Sequence, residues 1–276
     1  MSPSARQPFF EQPLFEQPLF EQLRDAIRAE ASVALATVVE GEFTGAKLIV
    51  RPDAQSAGTL GNADLDRVVT RDARGELAAG RSGIRHYGLH GEAREGAVSV
   101  FIESFAPPPK MLIFGAVDFT AALARVAKVL GYRVTVCDAR AVFATETRFP
   151  MADEVVVEWP NRLLDEVGGE LGERDAVCIL THDAKFDVPA VVSALATNVG
   201  YIGVMGSRRT HDDRTKRLIE AGVDEAGLAR LRSPIGLDIG ARTPEETAVS
   251  ITSEIIARRT GRDAKSLTVT EGPIHG

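Results

Sequence analysis

A turn that could bind a dinucleotide occupies residues 115–120, between an apolar strand and a helix. Its sequence is GAVDFT, in which Gly115 is all that remains of the glycines in the fingerprint G-x-G-x-x-G. Val117 carries a side chain where a pyrophosphate approaches closely, and Asp118 puts a negative charge where phosphate meets the helix N-terminus. Asp138, about twenty residues on, stands where this fingerprint has its ribose-binding acid. NAD or NADP binding is therefore predicted to be weakened. The alternative is that Asp118 caps the helix and Asp138 caps a loop.

The best candidate for an anion site is the segment GSRRTH, residues 206–211, which follows a predicted strand. Gly206 and Ser207 stand where a helix begins, and Arg208 and Arg209 come next. Backbone N–H groups at a helix N-terminus and guanidinium groups both donate hydrogen bonds to oxyanions. The pattern therefore predicts a site for phosphate or another anion, with a solvated arginine pair as the alternative.

Polar residues also follow another predicted strand, in the segment THDAKFD at residues 181–187. His182 and Asp183 are candidates for contacting a ligand, because open parallel sheets bind ligands at the carboxyl ends of their strands. They are adjacent in sequence, so a catalytic pair would need a third group to orient it. The alternative is a loop in which Asp183 or Asp187 caps the next helix.

An apolar, glycine-containing loop precedes the last predicted helix, in the segment SPIGLDIGARTPEE at residues 233–246. Gly236, Asp238 and Gly240 are its candidate ligand-binding residues. The apolar composition predicts a loop packed over the edge of the sheet. Asp238 should then be either buried and hydrogen-bonded or directed at a ligand.

Motifs for covalent or metal chemistry are absent from the sequence. It contains no nucleophile elbow, Walker A loop, kinase motif set or zinc-type histidine pair. Its two cysteines, Cys137 and Cys178, lie in apolar runs and are predicted to be buried thiols rather than a disulfide. The sequence thus predicts no catalytic residue and no metal site.

The candidate residues fall at the ends of short apolar strands that alternate with helices over residues 111–262. This alternation predicts an α/β fold, a Rossmann-like parallel sheet with helices on both faces. Strands are predicted in KMLIFGA, YRVTVCDAR, ADEVVVEW, DAVCILTHD and YIGVMGS. Helices are predicted in DFTAALARVAKVLG, LLDEVGGEL, VPAVVSALATN, RTHDDRTKRLIEAG and TPEETAVSITSEIIARRTG.

A different pattern precedes this one, and residues 23–106 are predicted to form a small α+β domain with a largely antiparallel sheet. A stiff proline run makes residues 107–110 the predicted linker. Residues 1–22 contain the repeat FFEQP, LFEQP, LFEQL, whose prolines oppose a regular helix. They are predicted to be a flexible arm that becomes helical near Phe20–Arg28, with a linear binding motif as the alternative. Residues 263–276 are a predicted tail.

The charge balance limits the classes of partner. The chain has 32 Lys and Arg against 39 Asp and Glu, a formal net charge of −7. An acidic chain lacks the basic footprint of a nucleic-acid binder, and it is not attracted to an anionic membrane. The sequence also shows no apolar leader and no run of transmembrane length. We therefore expect a cytoplasmic protein that binds neither nucleic acid nor membrane.

Three segments, in this order and spacing, resemble the XdhC/CoxI family of xanthine dehydrogenase accessory proteins. They are IFGAVDFTAALARVAKVLGYRVTVCDAR, YIGVMGSRRTHDDRTKRL and SPIGLDIGARTPEETAVSITSEIIARR. The resemblance implies an N-terminal XdhC/CoxI domain followed by a Rossmann domain. It also implies a maturation factor that binds molybdenum cofactor and hands it to a molybdenum hydroxylase apoenzyme, of the xanthine dehydrogenase or CO dehydrogenase type. A homodimer is compatible with the family, but no residue indicates one.

This chain departs from the family pattern at two places. Where the family has a Gly-Gly-Cys turn and a following Glu, the segment GTLGNADLD has Asp64 and Asp66. A carboxylate cannot replace a thiolate in sulfur or soft-metal chemistry. Where the family commonly has Gly-Ala-Gly-His, Val117 and Asp118 replace the second glycine and the histidine.

Three functions follow from these observations. The preferred one is a non-catalytic accessory protein that binds molybdenum cofactor, the apoenzyme, or both. A nicotinamide-dependent oxidoreductase is supported by Gly115 and Asp138 and opposed by Val117 and Asp118. A divergent paralogue that binds only a protein partner is supported by Asp64 and Asp118.

Overall fold

The computed structural model describes residues 17–88, 97–181 and 183–271. The chain divides into two units, one ending at Pro107 and the other beginning at Pro108. Most of the predicted arm, the candidate residue His182 and the end of the predicted tail lie outside the described residues. No helix in the described part is long and apolar enough to cross a membrane.

The first unit is an antiparallel sheet with a helix against each face. Its sheet has five strands in the order β3-β2-β1-β5-β4. The elements are α1 (Gln17–Arg28), β1 (Val33–Glu40), β2 (Lys47–Val50), β3 (Ala57–Thr59), α2 (Ala63–Ala79), β4 (Gly83–Tyr87) and β5 (Val98–Phe105). Alternation along β1 turns Ala34 and Ala36 towards the core shared with α2, and Val33 and Leu35 towards the core shared with α1.

The helix predicted near Phe20–Arg28 is α1, which begins earlier than predicted, at Gln17 within the predicted arm of residues 1–22. Pro18 is the second residue of this helix, where a missing backbone N–H is tolerated because the first turn has no intrahelical acceptor for it. Leu19 and Leu23 are buried against the sheet and anchor the helix there. The last copy of the repeat is therefore helical despite the proline that precedes it.

The second unit has the predicted Rossmann architecture. Its six parallel strands have the order β11-β10-β9-β6-β7-β8, so the order reverses between β6 and β9. The strands are β6 (Lys110–Phe114), β7 (Arg133–Cys137), β8 (Glu154–Val156), β9 (Ala176–Ile179), β10 (Tyr201–Val204) and β11 (Leu231–Arg232). The helices are α3 (Asp118–Val129), α4 (Pro160–Val167), α5 (Ala184–Leu195), α6 (Arg208–Glu220), α7 (Glu225–Arg230) and α8 (Pro244–Thr260).

Helices cover both faces of this sheet, as predicted. Met111 and Ile113 of β6 pack on one side in a core that includes residues of α3 and α8. Leu112 and Phe114 point to the other side, into a core that includes residues of α4, α5 and α6. A strand that is buried on both faces has a continuous run of apolar residues, which is why β6 has the sequence KMLIF.

The sequence analysis did not predict the strands β3 and β11 or the helix α7, all of which are short. The strands β3 and β11 have three and two residues, too few to show a period of two. The helix α7 has six residues. The helix α5 begins at Ala184, four residues before the predicted segment, because Asp183 caps it upstream of the internal Pro189. The last predicted helix begins as expected, with Thr243 and Glu246 forming a capping box.

Candidate functional site

The carboxyl edge of the parallel sheet brings the candidate residues to one side of the second unit. All six strands run in the same direction, so the loops after β6, β7, β9 and β10 share this edge. The reversal of strand order between β6 and β9 opens the crevice where such sheets bind ligands. Gly115 follows β6 on one side of this reversal, and Thr181 and Asp183 come after β9 on the other.

Gly115 keeps the tight turn for which glycine is needed. Its φ of +107° is unfavourable for any residue with a side chain. A Cβ at this position would lie 2.9 Å from Thr181 Cγ2 and 3.0 Å from the Thr181 backbone nitrogen. The turn after β6 is therefore pressed against the end of β9, and this close packing alone accounts for the glycine.

Asp138 is fully engaged by its neighbours. One carboxylate oxygen accepts the Ala116 N–H at 2.8 Å and Arg140 Nη2 at 2.7 Å, and the other accepts the Arg140 backbone N–H and Nε, both at 2.9 Å. Only 3% of the residue is exposed. Asp138 thus ties its own loop to the turn after β6, which is the structural alternative to ribose binding.

These contacts control the ionisation of Asp138. Burial would raise the pKa of its carboxyl, but hydrogen bonds from Arg140 and from the Ala116 N–H outweigh burial, and the pKa is lowered. A lowered pKa in the folded state means that the carboxylate stabilises the fold above its unfolded pKa of about 3.9. That stability is lost as the pH falls through the lower pKa of the folded state.

We expect Asp138→Asn to lower the free energy of unfolding by about 1–3 kcal/mol at pH 7, because the amide cannot accept all four hydrogen bonds. The deficit relative to the unaltered protein should shrink as the pH falls below about 4, since the unaltered protein then loses the same carboxylate. Urea unfolding at several pH values measures both effects. Asp212→Asn, at an exposed position, is the control and should show no such deficit.

Asp118 does not cap the following helix, so that alternative was wrong. The residue before α3 is Val117, which makes no side-chain capping bond. The Asp118 side chain is 90% exposed, and one of its oxygens lies 3.9 Å from Arg148 Nη2. Its charge remains at the helix N-terminus, where it opposes a phosphate. Val117 packs against the core rather than leaving the turn open.

Asp183 is the N-cap of α5, as one of the two alternatives predicted. Its carboxylate accepts the Lys185 N–H at 3.1 Å, and this hydrogen bond is the main reason that its pKa is lowered. The ring of Phe186 in the same turn lies 4.9 Å from that of Trp159, with Lys185 Nζ 4.7 Å above the Phe186 ring. Trp159 is 40% exposed, so its flat ring is accessible at the carboxyl edge of the sheet.

A buried ion pair that the sequence analysis missed ties this edge together. Arg214 of α6 donates to Asp187 at 3.0 Å, to the Met205 carbonyl at 2.8 Å and to Ser233 Oγ at 3.0 Å. Thr181 Oγ1 donates to the other oxygen of Asp187. The one signal in the sequence was the place of Arg214, four residues before the buried Leu218 on the face of α6 that packs inward.

The start of α6 keeps two arginines available. Ser207 is the N-cap, and its Oγ accepts the Thr210 N–H at 3.2 Å. Arg208 and Arg209 are exposed, and neither forms an ion pair within the described residues. They follow Gly206 and Ser207 after the end of β10, so their positive charges lie at the carboxyl edge and beside the positive end of the helix dipole.

The loop before α8 is fastened by residues other than the predicted one. Gly236 has a φ of +98°, and a Cβ there would lie 2.4 Å from Ser250 Oγ. Its N–H donates to Glu254 at 2.9 Å, and the same carboxylate oxygen accepts Tyr201 OH at 2.6 Å. Asp238 is exposed, so the first of its two alternatives, burial with hydrogen bonds, was wrong, and the second, a side chain directed at a ligand, stays a prediction.

At the tip of this loop, the backbone conformation requires glycine. Gly240 has a φ of +73°, and a Cβ there would meet no atom within 4 Å. Its place is therefore set by the turn and not by close packing.

The cysteines and acids of the described residues do not form a metal site. No group of three or more His, Cys, Asp and Glu residues in that part of the chain could hold a metal ion. Cys137 and Cys178 are buried free thiols. Burial raises the pKa of Cys137 to about 12 and raises that of Cys178 as well, so neither is a thiolate near neutral pH.

Two family models match this chain. The model of the XdhC Rossmann domain matches residues 111–255, more than half of the 276 residues. The model of the XdhC and CoxI family matches residues 26–88.

Named relatives are similar over parts of their length. A probable subunit of xanthine dehydrogenase from Bacillus subtilis is 34% identical over 171 residues, 62% of this chain and 49% of that protein. The uncharacterized protein YqeB of Escherichia coli is 27% identical over 235 residues, 81% of this chain and 43% of that protein. The molybdenum cofactor insertion chaperone PaoD of E. coli is 31% identical over 91 residues, 33% of this chain and 29% of that protein. The chain thus spans less than half of each of these relatives.

A solved structure has the same fold. The crystal structure of a xanthine dehydrogenase from Bacillus halodurans superposes with a TM-score of 0.52 at 22% identity, over 90% of this chain and 97% of that one. Three observations agree on the family and its fold. They are the match of the Rossmann-domain model, the match over residues 26–88 and the strand order of the second unit. The chain therefore belongs to the XdhC and CoxI family.

Proposed function

We propose that this protein is an accessory factor that binds molybdenum cofactor as cargo and passes it to a molybdenum hydroxylase apoenzyme. The observation that carries the proposal is the exposed pair Arg208 and Arg209 at the start of the 13-residue helix α6. This pair lies at the carboxyl edge of the sheet, inside the matched Rossmann domain. The relative named as a molybdenum cofactor insertion chaperone supports the kind of cargo.

The chemistry of the cargo suits this place. Molybdenum cofactor carries a phosphate and an anionic dithiolene, so its holder needs hydrogen-bond donors with positive charge. Two guanidinium groups provide planar donor pairs for phosphate oxygens. The start of a helix adds backbone N–H groups and a favourable dipole. On this proposal Gly206 and Ser207 shape the turn, and Arg208 and Arg209 make the charged contacts.

Other candidate residues have supporting places in the proposal. Gly115 and Asp138 build the wall of the crevice, and Asp183 fixes the start of α5 beside the exposed ring of Trp159. A flat ring of this kind can stack on a planar heterocycle such as a pterin. Gly236 and Gly240 shape the loop before α8, whereas Asp238 is free to reach cargo or partner.

The protein would hold its cargo without thiolate chemistry of its own. Both of its cysteines are buried with raised pKa values, and Asp64 occupies the family's cysteine position at the start of α2. Sulfur for a terminal ligand of molybdenum would therefore come from a different protein. We accordingly propose a carrier and not an enzyme.

A nicotinamide-dependent oxidoreductase is less well supported by the site. The pyrophosphate would meet the Val117 side chain and the Asp118 charge, and the ribose would meet a carboxylate that already accepts four hydrogen bonds. A divergent paralogue that binds only a protein partner remains the second candidate, since Asp64 and Asp118 replace family residues in both units.

The test is to purify the protein from a host that makes molybdenum cofactor and to measure pterin. The protein is denatured, the extract is oxidised, and the fluorescent pterin product is quantified per mole of protein. We expect pterin in the unaltered protein and about tenfold less after Arg208→Ala with Arg209→Ala, because charge-assisted hydrogen bonds to the phosphate are lost.

The control replaces another adjacent arginine pair, Arg258→Ala with Arg259→Ala, in the last turn of α8. This variant should retain the pterin of the unaltered protein. Equal loss in both variants would mean that positive charge in general, and not this site, retains the cargo. Absence of pterin from all three proteins would favour the paralogue that binds only a partner.

A further inference from the structure

The first unit contains a cleft that shares no residue with the site proposed in the second unit. Its volume is about 630 Å³, within the range of pockets that bind small molecules. It lies between α2 and the segment that connects β2 with β3. Seven of its nine lining residues are polar or charged.

Three arginines of α2 line this cleft. Arg67, Arg71 and Arg74 are spaced by four and three residues, so they lie on one face of the helix. Arg74 Nε and Nη2 donate to the carbonyls of Arg51 and Ala54 at 3.2 and 3.0 Å, which fixes the guanidinium against the opposite wall. Within the described residues Arg74 has no carboxylate partner.

The acidic partners of the other two arginines hold them to different degrees. Arg67 Nη2 lies 3.5 Å from Asp64, and the two side chains are 74% and 61% exposed, so this pair contributes little and an anion in the cleft can compete for Arg67. Arg71 donates to Asp72 from both Nε and Nη2 at 3.0 Å, and Asp72 is 19% exposed, so this pair is firmer. The Arg71 side chain is still 75% exposed, and its remaining N–H groups are available to an anion.

The carboxylate of the lining is held by hydrogen bonds outside the arginine cluster. Asp66 accepts Thr59 Oγ1 at 2.8 Å with one oxygen and the Leu60 N–H at 2.7 Å with the other. It therefore serves to fasten the loop before α2. The lining itself contains three guanidinium groups and one carboxylate, while Asp64 and Asp72, which pair with Arg67 and Arg71, lie outside it.

Two hydroxyl groups add a neutral donor. Ser56 Oγ and Thr70 Oγ1 lie 3.0 Å apart in the lining, and one of them donates to the other. The hydroxyl that accepts still has its own proton to donate. Planar cationic donors beside a hydroxyl donor make a combination that suits a tetrahedral oxyanion.

We propose that this cleft binds the phosphate group of a small organic phosphate, with Arg67 and Arg71 as its charged ligands and Arg74 as the fixed wall. The proposal does not depend on the function proposed for the second unit, because no residue is shared. Its ligand class follows from charge and donor geometry in residues 48–74 alone.

The test uses inorganic pyrophosphate as the probe and the full chain as the protein. Isothermal titration at constant ionic strength should show saturable binding. Arg67→Gln with Arg71→Gln should lower the association constant about tenfold or more, because charge-assisted hydrogen bonds to phosphate are lost. Both side chains are largely exposed, so we expect this variant to fold as the unaltered protein does, with the same circular dichroism.

Two variants distinguish the cleft from other sites for the probe. Arg24→Gln with Arg28→Gln removes two arginines of the same spacing from α1 and should leave binding unchanged. Arg208→Ala with Arg209→Ala removes the proposed cargo site and should leave intact the site that is lost in Arg67→Gln with Arg71→Gln. Absence of saturable binding would overturn the proposal, and so would loss of that site in the Arg208 and Arg209 variant instead of the cleft variant.

Discussion

Replacing Arg214 with methionine is expected to lower the free energy of unfolding of the second unit by about 3–5 kcal/mol. The Arg214 side chain is 4% exposed, as is that of Asp187. Methionine fills similar volume but removes the positive charge, so a buried carboxylate is left without its ionic partner. Loss of one partner of a buried pair costs more than the pair contributes, because the remaining charge cannot be hydrated.

The effect should be large because Arg214 joins several elements. Its guanidinium contacts α5 through Asp187, the end of β10 through the Met205 carbonyl, and the residue after β11 through Ser233. The Met205 carbonyl and Ser233 Oγ would each lose a donor as well. Methionine therefore leaves a buried carboxylate oxygen and two part-buried oxygen atoms without this donor, and the buried oxygen carries the largest desolvation cost.

Urea unfolding followed by tryptophan fluorescence measures the effect in the right unit, because Trp159 is the chain's one tryptophan and lies in the second unit. The control is Arg217→Met, an exposed arginine on the same helix, which should change stability by less than about 0.5 kcal/mol. Adding Asp187→Leu to Arg214→Met should recover part of the loss, since the unpaired charge is then removed. Equal effects of Arg214→Met and Arg217→Met would show that the ion pair is not buried in solution.

Sequence reasoning could predict the second unit because its signal is repeated. Five apolar strands alternate there with helices, so one ambiguous segment did not change the predicted fold class. The cap at Asp183 was also within reach, because an acid before a helix is a local pattern. Local patterns reach only a few residues, however, and β11 with its two residues shows no period at all.

The site depends on contacts that local patterns do not contain. Arg214 and Asp187 are 27 residues apart in sequence, and nothing near either one indicates the other. Asp138 had the right place for ribose binding, but its engagement by Arg140 and the Ala116 N–H depends on how two loops meet. One of the two alternatives for Asp238 was that it is buried and hydrogen-bonded, whereas Glu254, from the middle of α8, provides the carboxylate that fastens the loop.

The Arg-lined cleft is another feature that local sequence patterns do not identify. The spacing of Arg67, Arg71 and Arg74 is visible in the sequence and fits an ordinary solvated helix face. What makes it a candidate site is the opposite wall, where the carbonyls of Arg51 and Ala54 hold Arg74. Such a wall can be seen only when the segment between β2 and β3 is folded against α2.

Replacing Gly115 with alanine is expected to lower the free energy of unfolding of the second unit by about 2–4 kcal/mol. Two separate costs contribute. The φ of +107° is strained for a residue with a side chain. The added Cβ would also lie 2.9 Å from Thr181 Cγ2 and 3.0 Å from the Thr181 nitrogen, and the backbone atom cannot move aside without shifting the end of β9.

A second glycine of this unit separates the two costs. Gly131 also has positive φ, +81°, but a Cβ there would meet no atom within 4 Å. Gly131→Ala should therefore show only the conformational cost, about 1 kcal/mol. The excess loss in Gly115→Ala, read from urea unfolding by Trp159 fluorescence, then measures how tightly the turn after β6 is pressed against β9. If both variants lose the same amount, the turn has room to move. Close packing against Thr181 would then not be what requires glycine at position 115, and the backbone conformation alone would account for it.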